Sequence, residues 1–307
     1  MRIASLLLGL CVAPVATATP YPAPMPAPVL DTALLPCPFE AGTTHTWGRS
    51  ATGTMGSVTS TVTLAVVSAD EASIVVDVDS KLTKVRSNDP VMEQLLPAFD
   101  AIDVKPRVQF DRATVALSVT NLQALQPKYA AAGAAVADAL VLDGAPEGIR
   151  GAVLQLAGSA ELLEQSVVRD LVPLFGFTCG PLTMEATEYE TQLPSPFGGG
   201  VVPAKGVLVA KRGEGGEVLV RNDEVLDPAA LQADALRAMT AMAGSLDADP
   251  SLKAQALQLL EDVPVEAETT MQATVDTKTG WVTTVRSGRV VSAPGQQRVD
   301  QVELISR

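Results

Sequence analysis

Between Pro264 and Arg307 the apolar positions fall on every second residue. Val265, Ala267, Thr269, Met271, Ala273 and Val275 share one side, while Glu266, Glu268, Thr270, Gln272, Thr274 and Asp276 share the other. That alternation predicts a strand with one dry and one wet face. Residues 276–280 read as a turn, with Gly280 free to take a positive φ. Residues 281–292 form a second β-rich run, 293–295 turn again, and 297–305 return. Three strands of about eleven residues, each roughly 35 Å long, imply a large curved sheet.

The same period recurs upstream. Residues 43–49 are a plausible first strand. In 57–67, Val58, Val62, Leu64 and Val66 oppose Thr59, Thr61 and Thr63. Ile74, Val76, Val78 and Leu82 then oppose Asp77, Asp79 and Lys81. A strand is expected over 108–119, with Val115, Leu117 and Val119 on its dry side. Further strands are expected over 183–193, 207–210 and 217–222, the last two joined across Gly213 to Gly216. Elsewhere the period changes to steps of three and four. Residues 122–142 are Ala-rich and helical in pattern, and Ile149 to Leu171 reads as one amphipathic helix stopped by Pro173. Short helices are expected at 91–99, 228–246 and 250–262, the last two each begun by an Asp-Pro pair. The expected class is therefore α+β: a large curved antiparallel β-sheet, half-barrel-like, covered on one face by several α-helices.

Residues 1–18 read as a signal peptide: Arg2, an apolar run from Ile3 to Val15, and the small residues Ala16 to Ala18 as cleavage site. A lipoprotein cysteine at Cys11 would want a small residue where Leu10 stands. Residues 19–38 carry prolines at 20, 22, 24, 26, 28, 36 and 38 and are expected to be an extended linker, leaving 39–307 as one domain. The chain is thus expected to be soluble and extracytoplasmic, periplasmic or secreted. In that compartment Cys37 and Cys179 are expected to form a disulfide, two free thiols being the alternative.

The net charge of −13, from 22 basic and 35 acidic residues, argues against nucleic acid as a partner and against docking on an anionic membrane. No later segment reaches the ~20 apolar residues of a membrane span, so stable membrane insertion is not expected. Catalytic chemistry is not visible. The lone histidine, His45, has no metal-ligand spacing around it and no Gly-x-Ser-x-Gly elbow to face. The Gly/Pro loop at 194–200 lacks the Lys-Ser/Thr of a phosphate loop. The carboxylate pairs Asp77 with Asp79 and Glu266 with Glu268 read as solvated strand faces. We therefore expect no enzyme, no catalytic or metal residues and no cofactor, and the sequence identifies no protein partner.

Long amphipathic strands, a Gly-rich middle, covering helices and an exported chain resemble the bacterial lipoprotein-carrier superfamily (LolA-like half-barrels). The closing run from Asp276 to Trp281 is similar to the ending of several uncharacterised secreted bacterial families. The resemblance implies a concave face that holds an acyl chain or similar hydrophobic small molecule. Dry-face residues are small and branched and aromatics are only 4% of the chain, so a gap between sheet and helices is expected. Its expected lining includes Val62, Val76, Val167, Met239, Met242 and Met271. An apolar cavity of about 300 Å³ or more, lined from both layers, would mark it. The alternative is a non-enzymatic structural or protein-interaction module of the cell envelope.

Overall fold

In the computed structural model, residues 31–54, 56–87, 97–98, 100–142, 147–169, 171–197, 201–245 and 264–307 are described. The expected leader, most of the linker and the helix at 250–262 lie outside these residues, as does most of the helix at 91–99.

The chain begins with β1 (Thr32–Leu35), within the Pro-rich segment, and continues through β2 (Thr44–Gly53), β3 (Gly56–Ala69), β4 (Ser73–Ser87), β5 (Arg107–Asp111) and β6 (Ala116–Val119). Four helices follow: α1 (Leu122–Leu142), α2 (Glu147–Gly158), α3 (Ala160–Arg169) and the single turn α4 (Val172–Phe175). Then come β7 (Gly180–Thr183), β8 (Thr187–Pro194), β9 (Val201–Arg212), β10 (Glu217–Leu226) and helix α5 (Pro228–Ser245). The chain closes with β11 (Glu266–Asp276), β12 (Val282–Ala293) and β13 (Gln296–Ser306).

Eleven of these strands form one antiparallel sheet in the order β6-β5-β4-β3-β2-β13-β12-β11-β10-β9-β8, while β1 and β7 pair separately. Its hairpins reuse one device. At the β3–β4, β5–β6 and β11–β12 turns an aspartate Oδ1 accepts backbone N–H bonds: Asp70 from Ala72 and Ser73, Asp111 from Ala113 and Thr114, Asp276 from Lys278. An Asp that holds the backbone two residues on closes a turn without help from tertiary packing. The same donors stabilise the ionised form and hold all three carboxyls below their ordinary pKa. The free edges are blunted. The β6 backbone N–H of Val119 donates to Glu164 Oε1 on α3 at 2.8 Å, and β8 carries exposed Glu188 and Glu190 on its outer side.

The expected α+β class is corrected here. The protein is mostly β, built on one large sheet, and its short helices do not cover a face. Helix α1 packs on α2, where Gly133 lets the backbone approach Ala157, and Gln126 Nε2 donates to the carbonyl of Gly158 at 2.8 Å. Against the sheet, α3 meets β6, α4 meets β12, and α5 meets β9 and β11. The physical reason is partner choice and number: α1 packs mainly on α2 rather than on the sheet, and among the described residues strand residues outnumber helical ones by about two to one. Ala-rich α1 joins the main cluster through Leu125 at its N-terminal end, with Leu122 and Tyr129 packed against it. The single helix expected over 149–171 is in fact two, α2 and α3, and the single strand expected over 108–119 is the β5–β6 hairpin.

Stability comes from the inner face of the sheet. Trp47, Leu64, Ile74, Val76, Val108, Val275 and Leu304 are essentially inaccessible, joined by Leu171, Leu174 and Phe175 from the α3–α4 region. Phe39 stacks on Phe175 with ring centroids 4.5 Å apart, and Trp281 meets the edge of Phe39 at 5.1 Å. Gly280 has φ +76 and lies so close to the Pro36 carbonyl that a Cβ has no room, which seats the Pro36–Pro38 segment on the β11–β12 turn. Beside it Cys37 and Cys179 are disulfide-bonded, a pairing compatible with an oxidising, extracytoplasmic setting. Among the described residues, no helix is long and apolar enough to cross a membrane.

Candidate ligand face

Residues directly opposite each other in antiparallel strands project to the same side. Following the register across the C-terminal half of the sheet therefore reads its inner face row by row. One row runs Tyr189 on β8, Gly206 on β9, Glu224 on β10, Thr269 on β11, Arg289 on β12 and Asp300 on β13. Five of the six are polar or charged. The adjacent row contains Leu208, Asn222, Met271, Ser287 and Val302. Beyond it lies the main apolar cluster, with Ala210, Val220, Ala273 and Val285. On the other side lies a second cluster: Leu193, Val202, Ala204, Leu226 and Ala267, closed over by Leu231 of α5. A polar row thus divides two apolar patches on one inner face.

The row is tightly set at its β8 end. The Tyr189 ring lies where a Cβ on residue 206 would be, so only glycine fits beneath it. The Tyr189 oxygen is 2.7 Å from Asn222 Oδ1 and 2.8 Å from Glu224 Oε1. One hydroxyl proton cannot serve both acceptors. Burial pushes the Glu224 carboxyl above its ordinary pKa, the bonds to Tyr189 and Asn222 pulling the other way.

This has a pH consequence. A carboxyl whose pKa rises on folding contributes stability that is complete below its ordinary value of about 4.3 and is lost as pH rises through the raised one. Glu224→Gln keeps a neutral partner for Tyr189 at all pH. Thermal melts between acid and neutral pH should show the variant gaining on wild type as pH rises. A stability difference independent of pH would contradict this assignment.

At the other end, Arg289 is loosely held. Its Nε donates to Thr269 Oγ1 at 3.4 Å and its terminal nitrogen to the Pro194 carbonyl at 3.5 Å. Pro194 belongs to β8, four strands away, a separation of about 19 Å in a flat sheet. Contact therefore requires this half of the sheet to curl. Burial, and next the like charge of Arg169 on α3, pull the Arg289 guanidinium below its ordinary pKa, while Asp300 and Glu224 oppose them. Arg298 Nε pairs with Asp300 Oδ2 at 2.8 Å, and their side chains keep 29% and 38% of their exposure. Solvent reaches this end of the row.

Of the lining residues expected from sequence, Val62 and Val76 are buried in the main cluster, and half-buried Val167 and Met271 pack against it. The side chains of Met239 and Met242 lie outside those described. A cavity of about 510 Å³ is found elsewhere, an open groove lined by Leu34, Leu35, Pro36, Cys37, Cys179, Gly180, Thr277 and Lys278. Sequence reasoning missed Tyr189, Glu224 and Arg289, because strand periodicity assigns a side but not a register.

It also missed a Ser–His pair. His45 Nε2 is 2.8 Å from Ser306 Oγ, with the imidazole stacked on Trp281 at 4.3 Å and its pKa lowered by burial. Among the described residues no carboxylate orients the other ring nitrogen, which a nucleophilic pair needs, so the contact reads as packing. No group of three potential metal ligands occurs among the described residues. The chain matches no family model, no curated protein and no solved structure.

Proposed function

We propose that this chain is an exported, non-enzymatic protein that binds a hydrophobic, lipid-like ligand on the inner face of its sheet. The observation that carries the reading is the division of that face. A sheet serving only to pack against its own helices buries a continuous apolar surface. Here two apolar clusters flank a row of charged and hydroxyl-bearing side chains, and the helices bear on the sheet mainly at β6, β9, β11 and β12. Half-buried Met271, in the row between, is a flexible apolar side chain suited to an adaptable guest. Export rests on the residues 1–18 pattern and agrees with the disulfide. The lipoprotein-carrier resemblance enters as analogy of layout alone.

The test is direct. Protein purified from its native compartment, extracted with organic solvent and examined by mass spectrometry, should release a stoichiometric apolar compound. Purified delipidated protein should rebind an alkyl-chain probe such as oleate. Empty extracts together with no probe binding would replace this reading with a structural module of the envelope, an arrangement that the close Gly133–Ala157 approach of α1 and α2 also suits.

A further inference from the structure

We infer that the Cys37–Cys179 disulfide is a site of thiol–disulfide exchange, opened by an external dithiol that attacks Cys179 while Cys37 leaves beside Arg112. The inference is independent of the ligand reading above. Access comes first. Both cysteines are half-buried, and both line the open groove of about 510 Å³ that runs between Pro36 on one side and Lys278 of the β11–β12 turn on the other. A disulfide sealed in a core is closed to a reagent thiol, whereas exchange depends on which sulfur can be reached. The two sulfurs also differ in their surroundings. Arg112, in the β5–β6 turn, donates from its terminal nitrogen to Cys37 Sγ at 3.3 Å, and its buried Nε has no hydrogen-bond partner. The Arg112 backbone N–H donates to the Ala72 carbonyl at 3.0 Å, which fixes the point from which the side chain reaches the sulfur.

A disulfide sulfur is neutral and a weak acceptor, so the contact with Arg112 is worth little while the bond is closed. A thiolate at Cys37 converts it into a charge-assisted hydrogen bond. A neighbouring Arg lowers a thiol's pKa, and the thiol of lower pKa is the faster leaving group. Asp70 is the acid whose charge reaches Arg112, but it is exposed and its Oδ1 is engaged by the Ala72 and Ser73 N–H groups. Lys278 brings a second cation to the groove wall. The attacked atom is therefore Cys179 Sγ. One thiolate of the dithiol bonds to it, the Cys37–Cys179 bond breaks, and the electron pair leaves on Cys37 Sγ. The second thiolate of the dithiol then attacks its partner sulfur in the mixed disulfide and releases Cys179 as a thiolate. Two electrons pass from the dithiol, which ends as a disulfide, and its two protons pass through water to the cysteines as their pKa values allow. Reduction unties the segment after β1 from the one before β7.

The test uses the native, oxidised protein without denaturant. Dithiothreitol should open the bond in the folded state, read as two thiols alkylated by iodoacetamide. Glutathione, a monothiol, stops at the mixed disulfide. With iodoacetamide present to trap the freed thiol, peptide mapping should find glutathione on Cys179 and the alkyl group on Cys37 about ten times more often than the reverse. Arg112→Met should slow opening by dithiothreitol about threefold or more and erase that preference, since the leaving thiol then has a higher pKa. Arg112→Lys, which keeps the charge, should restore most of both, a rescue that a merely structural role for Arg112 would not give. Should Arg112→Met not fold, the mapping on the wild-type protein decides alone. A bond that dithiothreitol opens only after urea unfolds the protein overturns the inference. So does glutathione spread evenly over the two cysteines, or found mainly on Cys37.

Discussion

Trp47→Ala is expected to destabilise the protein by about 3–5 kcal/mol, the range for removing a large aromatic from a packed interior. Trp47 is completely buried on β2. It touches His45 and Trp281, with ring centroids 4.3 and 5.7 Å away, and its indole Nε1 donates to the Val282 carbonyl at 2.9 Å. Truncation therefore opens a cavity and leaves a buried carbonyl without its donor. Natural domains are stable by only about 5–15 kcal/mol, so this one change takes a large share. Urea unfolding followed by circular dichroism measures it, with Trp47→Phe as control: most of the volume is kept and only the indole bond is lost, at about 1 kcal/mol plus some packing. A Trp47→Ala midpoint close to wild type would show that the inner face does not depend on this residue.

The second large effect is expected from the disulfide. Cys37 and Cys179 are 142 residues apart, and closing so long a loop restricts the unfolded chain by about 5 kcal/mol in the chain-entropy picture, an upper figure. The bond has a local role too. It joins the segment after β1 to the one before β7, and these two strands make a four-residue ribbon of their own, outside the main sheet. So short a ribbon does not hold itself together in water. The Cys37→Ser, Cys179→Ser double variant should melt well below wild type, and limited proteolysis should cut first near residues 31–36. Identical melting and identical cleavage would mean that Phe39, stacked on Phe175, and Gly280 beneath Pro36 anchor the segment without the bond.

Much of the sheet was legible because period-two patterns are local. Val62, Leu64 and Val66 face inward on β3 as their alternation predicts, and so do Ala267, Ala273 and Val275 on β11. The turn at residues 276–280 was legible for the same reason: Asp276 and Gly280 carry its chemistry in their own side chains and backbone freedom. Two boundaries were misjudged where a local signal ran through a break. Val108 to Val119 keeps its apolar phase across the Asp111 turn, and Ile149 to Leu171 keeps a helical phase across the break at Ser159, whose hydroxyl accepts the Leu162 N–H at 3.3 Å. Fold class was misjudged because a helical period does not say what a helix packs on: α1 packs mainly on α2 rather than on the sheet. The candidate site was legible only in part. Met271 and Val62 belong to faces that alternation defines. Tyr189, Glu224 and Arg289 meet through register alone, and nothing within any one strand announces it.

The seam between β2 and β13 bears on how the molecule forms. Thr52 pairs with Gln301 and Trp47 with Ser306, so the middle of the sheet joins residues from nearly opposite ends of the chain. Each half, β2 to β6 and β8 to β13, is otherwise assembled from near neighbours in sequence. Such long-range pairing is slow to nucleate, because the loop must close before the contacts reward it. The halves can acquire hairpins early, yet they share no backbone ladder until β13 arrives. Loss of β13 would therefore split the sheet down its centre rather than shorten an edge, leaving the first strand of one half and the last complete strand of the other as raw, unpaired margins open to association with other chains.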